Sequence, residues 1–159
     1  MTSIRPADDA DMAAVADLWH EGWHDGHAGH VPDGLTALRT LAAFHERTPP
    51  RVADTSVALA EDGRLLGFVM VVGDEVEQVF VGRAARGSGL AASLLAEAER
   101  RVAASGHTSA WLAVVAGNLR ARRFYEKQGW ADTGDLPYEV TAGGQVFVSP
   151  CRRYEKRVG

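Results

Sequence analysis

The sequence predicts an α+β domain with a mixed, mostly antiparallel sheet flanked by helices, and three observations carry the prediction. Strand-like runs at 56–60, 65–72 and 76–81 are joined only by Glu61-Asp62-Gly63-Arg64 and Gly73-Asp74, links so short that the strands must form an antiparallel meander. Apolar residues recur at helical spacing before and after this meander. A buried-looking strand and a closing hairpin complete the order β-αα-βββ-α-β-α-ββ, and no repeat, low-complexity tract or linker divides residues 1–159 into more than one domain.

After a short strand at 2–5, Met12, Val15, Leu18, Trp19 and Trp23 mark a first amphipathic helix, with Asp8 or Asp9 placed to cap it. Gly26-His27-Ala28-Gly29-His30-Val31-Pro32 reads as a loop. Asp33 then caps a second helix carrying Leu35, Leu38, Leu41, Ala42 and His45 on one face, which Thr48-Pro49-Pro50 ends. Beyond the meander, Leu90, Leu94, Leu95, Ala98 and Val102 mark a third helix, stopped by Ser105-Gly106. A strand at 109–116 leads through Gly117-Asn118 into a short helix ending at Gly129. The tail folds back across Thr141-Ala142-Gly143-Gly144.

Composition narrows the function classes. A chain of 159 residues can bury about two-thirds of its extended surface, and 46% apolar with 24% charged residues is the mix of a soluble globular protein. The single Cys151 excludes an intrachain disulfide and a multi-cysteine zinc site, and it suits a reducing, cytoplasmic setting. The start, Met1-Thr2-Ser3-Ile4-Arg5-Pro6, lacks a basic leader and apolar block, and no apolar run reaches bilayer length, so neither secretion nor a membrane partner is expected. With 17 basic and 21 acidic residues the net charge is −4, which argues against nucleic acid as a partner but permits a local basic patch around a phosphate.

Such a patch is written at 79–91, where Val79-Phe80-Val81 runs into Gly82-Arg83-Ala84-Ala85-Arg86-Gly87-Ser88-Gly89 and then a helix opening at Leu90-Ala91. A strand, a glycine loop and a helix start aim unpaired backbone N–H groups at one point. Gly87 and Gly89 let the backbone approach a diphosphate, the helix N-terminus adds roughly half a positive charge, and Arg86 adds a full one. Gly87-Ser88-Gly89-Leu90-Ala91-Ala92 also satisfies a relaxed dinucleotide fingerprint. Two features oppose that alternative. The loop follows a meander rather than a first parallel strand, and the strand at 111–116 ends in Gly117-Asn118 where an acid would hold the ribose.

At these residues the chain resembles a known family. Arg86-x-x-Gly89-x-Ala91 is similar to the (Gln/Arg)-x-x-Gly-x-(Gly/Ala) pyrophosphate loop of the Gcn5-related N-acetyltransferases (GNAT), and Asn118-Leu119-Arg120-Ala121-Arg122-Arg123-Phe124-Tyr125-Glu126-Lys127-Gln128-Gly129-Trp130 resembles their Asn-x-x-Ala-x-x-Phe-Tyr-x-x-x-Gly-Phe segment. The family's proline near Arg83 is missing. The resemblance implies a GNAT-like acyl-CoA N-acyltransferase fold and an enzyme that moves acetyl from acetyl-CoA, its co-substrate, to a primary amine by direct attack in a ternary complex. The alternative is a non-catalytic acyl-CoA-binding regulatory module.

The resemblance also distributes roles. Val79, Phe80 and Val81 lie along the pantetheine arm, with a backbone N–H near Val79 or Phe80 polarising the thioester carbonyl. Arg86, Gly87, Ser88, Gly89, Leu90 and Ala91 hold the diphosphate. Asn118 bonds the pantetheine and caps a helix, while Arg122, with Arg83 and Arg123, is a candidate for the ribose phosphate. Tyr125 aligns with the tyrosine beside the thioester sulfur, where a phenol suits a departing thiolate. Without the motif around it, Phe124-Tyr125 reads as an aromatic pair packing a helix. Glu77, or Glu75, is the candidate base, since alternation sets both on the face of Val79 and Val81 if no bulge intervenes. Trp23, His27, His30 and Tyr138 are candidates to shape the pocket for the amine, a small molecule or a peptide N-terminus. His24-x-x-His27-x-x-His30 lies in a glycine-broken stretch without nearby cysteine, so no metal is expected. Residues 145–154 are expected to form a homodimer contact or to join the pocket.

Overall fold

The computed structural model describes residues 2–159 and builds them around one sheet. Strands β1 (Ser3–Pro6), β2 (Thr55–Leu59), β3 (Leu65–Val72), β4 (Glu75–Val81), β5 (Ser109–Val115), β6 (Ala131–Ala142) and β7 (Gln145–Arg157) lie in the order β1-β2-β3-β4-β5-β7-β6. Neighbours are antiparallel except β4 and β5, which are parallel. Helices α1 (Met12–His27), α2 (Asp33–Leu38), α3 (Leu41–Arg47), α4 (Leu90–Ala104) and α5 (Leu119–Lys127) flank the sheet. The mixed, mostly antiparallel architecture matches the expectation from sequence. No helix among the described residues is long and apolar enough to cross a membrane.

Alternation along the strands separates two cores. Phe68 and Met70 of β3 join Val15 and Trp19 of α1 and Phe44 of α3, while Val69 and Val71 join Leu94, Leu95 and Val102 of α4. Of the two candidate caps it is Asp8 that opens the first helical stretch: its carboxylate accepts from the Ala10 N–H at 3.0 Å, and Asp11 returns the bond to the Asp8 N–H at 2.8 Å, a capping box.

Three expectations need correction. The second helix is two, broken at Arg39-Thr40, where Thr40 Oγ1 accepts from the Ala43 N–H at 3.1 Å and starts α3 afresh. Asp33 makes no side-chain cap bond, since Pro32 occupies the capping position of α2. The break resets the helical phase, so Phe44 is the fully buried residue, Leu41 is 45% exposed and His45 turns outward to Asp17 at 2.7 Å. Second, α1 continues through His27 rather than giving way to a loop at Gly26, which sits in its last turn close to the Asn118 side chain.

Third, a bulge does intervene in β4. Met70 pairs with Gln78 but Val71 pairs with Val76, leaving Glu77 as the extra residue. Val76, Val79 and Val81 pack toward α4, whereas Phe80 packs against the opposite core. Glu75 and Glu77 meet Tyr138 and Arg51 on that opposite side. The two carboxylates therefore share a face with Phe80, not with Val79 and Val81.

The helix break makes a direct prediction. Phe44→Ala should lower stability by about 3–5 kcal/mol, while Leu41→Ala should change it by about 0.5 kcal/mol or less. Urea unfolding of the two variants checks this, and equal losses would restore the single continuous helix.

Candidate active site

β4 and β5 are paired at one position only, Glu75 with Trp111, where the Trp111 N–H bonds the Asp74 carbonyl at 3.0 Å. Beyond it the strands diverge, and among the described residues this edge of β4 has no further strand partner. The gap opens a cleft of roughly 1020 Å³, walled by Val79, Phe80 and Val81 on one side and by Ala113, Val114, Val115 and Asn118 on the other. Unpaired main-chain groups of β4 face it, ready for an extended ligand to bind as a strand would.

At one end lies the glycine loop. Gly87 and Gly89 have φ of 80° and 85°, and a Cβ at either would meet no atom within 4 Å, so conformation rather than crowding demands glycine there. Gly89 caps α4 without a side-chain bond, and past the Leu90 N–H the next N–H groups of α4, those of Ala91 and Ala92, lie at the cleft wall without an intrahelical partner. Ser88 and Leu90 stand behind this wall: Ser88 Oγ donates to the Ala85 carbonyl and accepts from the Leu90 N–H at 3.4 Å, and the Leu90 side chain is buried. Arg86 lines the cleft while bonding Asp25 at 2.8 Å, and Arg83 reaches Asp25 at 2.8 Å and Glu21 at 3.0 Å. The two guanidinium groups hold the Asp25 carboxyl below its ordinary range.

The other end is a polar lobe. Trp23 and His27 stack at 4.7 Å with rings 3° apart. His27 Nδ1 lies 2.9 Å from the Trp23 carbonyl, and burial lowers its pKa to about 4, so the ring is neutral and Nδ1–H donates. The Tyr138 hydroxyl donates to Glu75 at 3.0 Å, and burial raises the Glu75 carboxyl above its usual range despite that bond. Glu77 is ion-paired with Arg51 at 2.8 Å. Tyr125 lines the cleft with its hydroxyl making no hydrogen bond among the described residues, and burial raises its phenol to about 12.

The fold thus brings together Trp23, His27, Glu75, Glu77, Val79, Phe80, Val81, Arg86, Gly87, Gly89, Ala91, Asn118, Tyr125 and Tyr138. Asn118 also caps α5, accepting from the Ala121 N–H at 3.2 Å. Arg122 points elsewhere: it bonds the Ala116 carbonyl at 2.9 Å, the Tyr154 hydroxyl at 3.2 Å and Asp132 at 3.4 Å, bracing α5 against β7. Arg120, two residues earlier, faces the cleft instead. His30 lies outside the wall, its ring pressed onto Gly117 where no Cβ would fit. Of residues 145–154, Ser149 and Cys151 line the cleft and Tyr154 is fully buried, while Val146 and Val148 are exposed.

Sequence reasoning missed Asp25, whose only signal is its place in the polar stretch Trp23-His24-Asp25-Gly26-His27, and Arg39 and Arg47, which no motif marks. Among the described residues no group of three or more His, Cys, Asp and Glu is placed to hold a metal ion. His24 meets the Arg39 carbonyl at 2.6 Å and His27 the Trp23 carbonyl.

Comparison with known proteins adds an independent line. The profile of the acetyltransferase (GNAT) family matches residues 13–130. An uncharacterized N-acetyltransferase of Mycobacterium tuberculosis strain H37Rv is 31% identical over 119 residues, 71% of this chain and 75% of the relative. The fold is similar to that of a GNAT-superfamily phosphinothricin acetyltransferase from Sinorhizobium meliloti solved with acetyl-CoA, with a TM-score of 0.72, 19% identity and coverage of 99% and 89% of the two chains. It is also similar to the PaiA N-acetyltransferase of Thermoplasma acidophilum solved with coenzyme A, with a TM-score of 0.71, 19% identity and 99% of each chain covered. A profile match over most of the chain, a curated relative at this identity and the splayed sheet agree: the chain belongs to the GNAT acetyltransferase family.

Proposed function

We propose that residues 1–159 form one N-acetyltransferase unit that transfers acetyl from acetyl-CoA to a primary amine by direct attack in a ternary complex. The observation that carries this reading is the divergence of β4 and β5, which sets an open strand edge, the glycine loop and Tyr125 in one cleft. Coenzyme-bound relatives of the same fold support it. In this reading the pantetheine arm lies along 79–81, and the diphosphate sits at Gly87, Gly89 and the α4 N-terminus with Arg86 as counter-charge. Asn118 flanks the arm. Ser88 and Leu90 support the loop, and Arg122 positions α5.

The chemistry then depends on where protons are held. Glu75, more basic than an ordinary carboxylate because of its burial, removes one proton from the ammonium, while Glu77 is engaged in its ion pair with Arg51. The amine nitrogen bonds the acetyl carbonyl carbon, and main-chain N–H groups of β4 stabilise the charge on the carbonyl oxygen. The C–S bond breaks with its electron pair going to sulfur, and Tyr125 supplies the thiolate's proton. The nitrogen's remaining excess proton returns to the phenolate, so each turnover releases N-acetylamine, coenzyme thiol and one proton. The reading places the protein in the cytoplasm, where its single cysteine stays reduced.

Tyr125→Phe should lower kcat by roughly 10²–10⁴-fold with acetyl-CoA affinity within about twofold, measured by thiol release and by isothermal titration. Arg86→Ala combined with Gly89→Val should abolish acetyl-CoA binding. Mild, equal effects from both variants would overturn these roles, and binding without turnover on any amine would favour a non-catalytic module. Because catalysis needs the Glu75 carboxylate, kcat/KM should fall as pH drops through its raised pKa. Glu75→Gln should remove this acid limb and Glu77→Gln should keep it; the reverse outcome moves the base to Glu77.

A further inference from the structure

The polar lobe contains two guanidinium groups, those of Arg39 and Arg47, that form no ion pair among the described residues. Arg39 follows α2 and is only 6% exposed, yet its side chain makes no hydrogen bond or ion pair among the described residues, and Nε is buried without a partner. Arg47 ends α3, lies 4.5 Å over the Trp19 ring and 5.2 Å from the Phe44 ring, and has Nη1 buried without a partner. Both line the cleft beside Glu75 and Glu77. Their neighbour Arg51, with a side chain 20% exposed, is matched by two carboxylates, Asp54 at 3.0 Å and Glu77 at 2.8 Å. Burial makes both arginines give up their proton more readily than usual, Arg47 at about 10; the charges of Arg39 and Arg51 add to the effect on Arg47, and that of Glu77 only partly opposes it. A buried, unpaired guanidinium is unfavourable, and two adjoining ones more so, unless an anion arrives to bridge them.

We propose that the acceptor is an amino acid, a primary amine that also carries a carboxylate, with the carboxylate bound by Arg39 and Arg47 and the amine presented on the Glu75 side of the same lobe. The proposal rests on the acetyltransferase reading above and names its substrate class. The lobe holds both kinds of charge that a zwitterion needs: the guanidinium groups of Arg39, just after α2, and Arg47, at the end of α3, and the carboxylates Glu75 and Glu77 of β4. A carboxylate fits better than a phosphonate, because its planar pair of oxygens matches a guanidinium fork and a dianion would stand against Glu75 and Glu77. Polyamines, aminoglycosides and peptide N-termini have no carboxylate next to the amine and leave both arginines unpaired.

The test compares matched acceptors on the unaltered protein with acetyl-CoA, read by thiol release: alanine against ethylamine, leucine against isoamylamine, phenylalanine against phenethylamine, and each amino acid against its aminophosphonate. A carboxylate bound by buried guanidinium should raise kcat/KM by roughly 30-fold or more over the decarboxylated partner. Arg39→Gln and Arg47→Gln should each raise KM for the amino acid, with a loss about tenfold greater than on the decarboxylated amine, and Arg39→Lys should recover part of it. Decarboxylated amines, spermidine, a peptide or the phosphonates serving as well or better would overturn the proposal, as would equal losses on both members of a pair. Titration of the coenzyme-A-loaded protein with N-acetylleucine and N-isoamylacetamide separates the two claims. If no amine releases thiol, the acetyltransferase reading fails, and the choice between these two ligands still decides whether the lobe binds carboxylates.

Discussion

The structure depends on a failure of strand pairing. A parallel pair that continued along β4 and β5 would satisfy the main chain of both strands and close the sheet, leaving no cleft. Instead the pairing stops after Glu75 and Trp111, two residues before the bulge at Glu77. A bulge bends its strand and increases local twist, and here it lies where β4 must turn away. This divergence leaves an edge inside a continuous sheet, shielded from other chains by α1 and α4 yet open to an extended ligand.

The ends of that cleft differ in how charge is managed. At the glycine loop, positive potential comes from backbone N–H groups and Arg86, and the acids of α1 temper it: Asp25 bridges Arg83 and Arg86, fastening the helix to the loop. These pairs are substantially exposed and weak as stabilisers, but they set where the guanidinium groups sit. At the polar lobe, burial dominates. It keeps His27 neutral, makes Glu75 harder to ionise, and holds Tyr125 in its protonated form. The same low-dielectric wall makes Arg39 and Arg47 conspicuous, since a charge screened by water needs no partner and a buried one does.

Much of the site was legible because it is local. The glycines of the loop, the α4 start and the segment from Asn118 to Trp130 act through neighbours a few residues away, so their spacing carries their geometry. Asn118 shows this: its position before a helix predicts a cap, and it caps α5. Arg122 shows the limit. It belongs to the same motif, but its guanidinium is directed by Tyr154 and Asp132, residues that pairing of β6 and β7 brings beside α5. The apolar spacing from Leu35 to His45 likewise looks continuous until Thr40 caps a new helix and shifts the phase.

By itself the sequence determined the strand and helix order, the antiparallel meander with its short links, the glycine-loop anion site and the family resemblance. Each of these is encoded by periodicity, turn chemistry or residues close along the chain. Only the tertiary structure decided the bulge that turns Glu75 and Glu77 to the face of Phe80, the Arg51 partner of Glu77, and the enclosure of Arg39 and Arg47 without an ion pair among the described residues. Those properties arise from which surfaces meet across the sheet and how much water the contact removes, and neither quantity is written in local spacing.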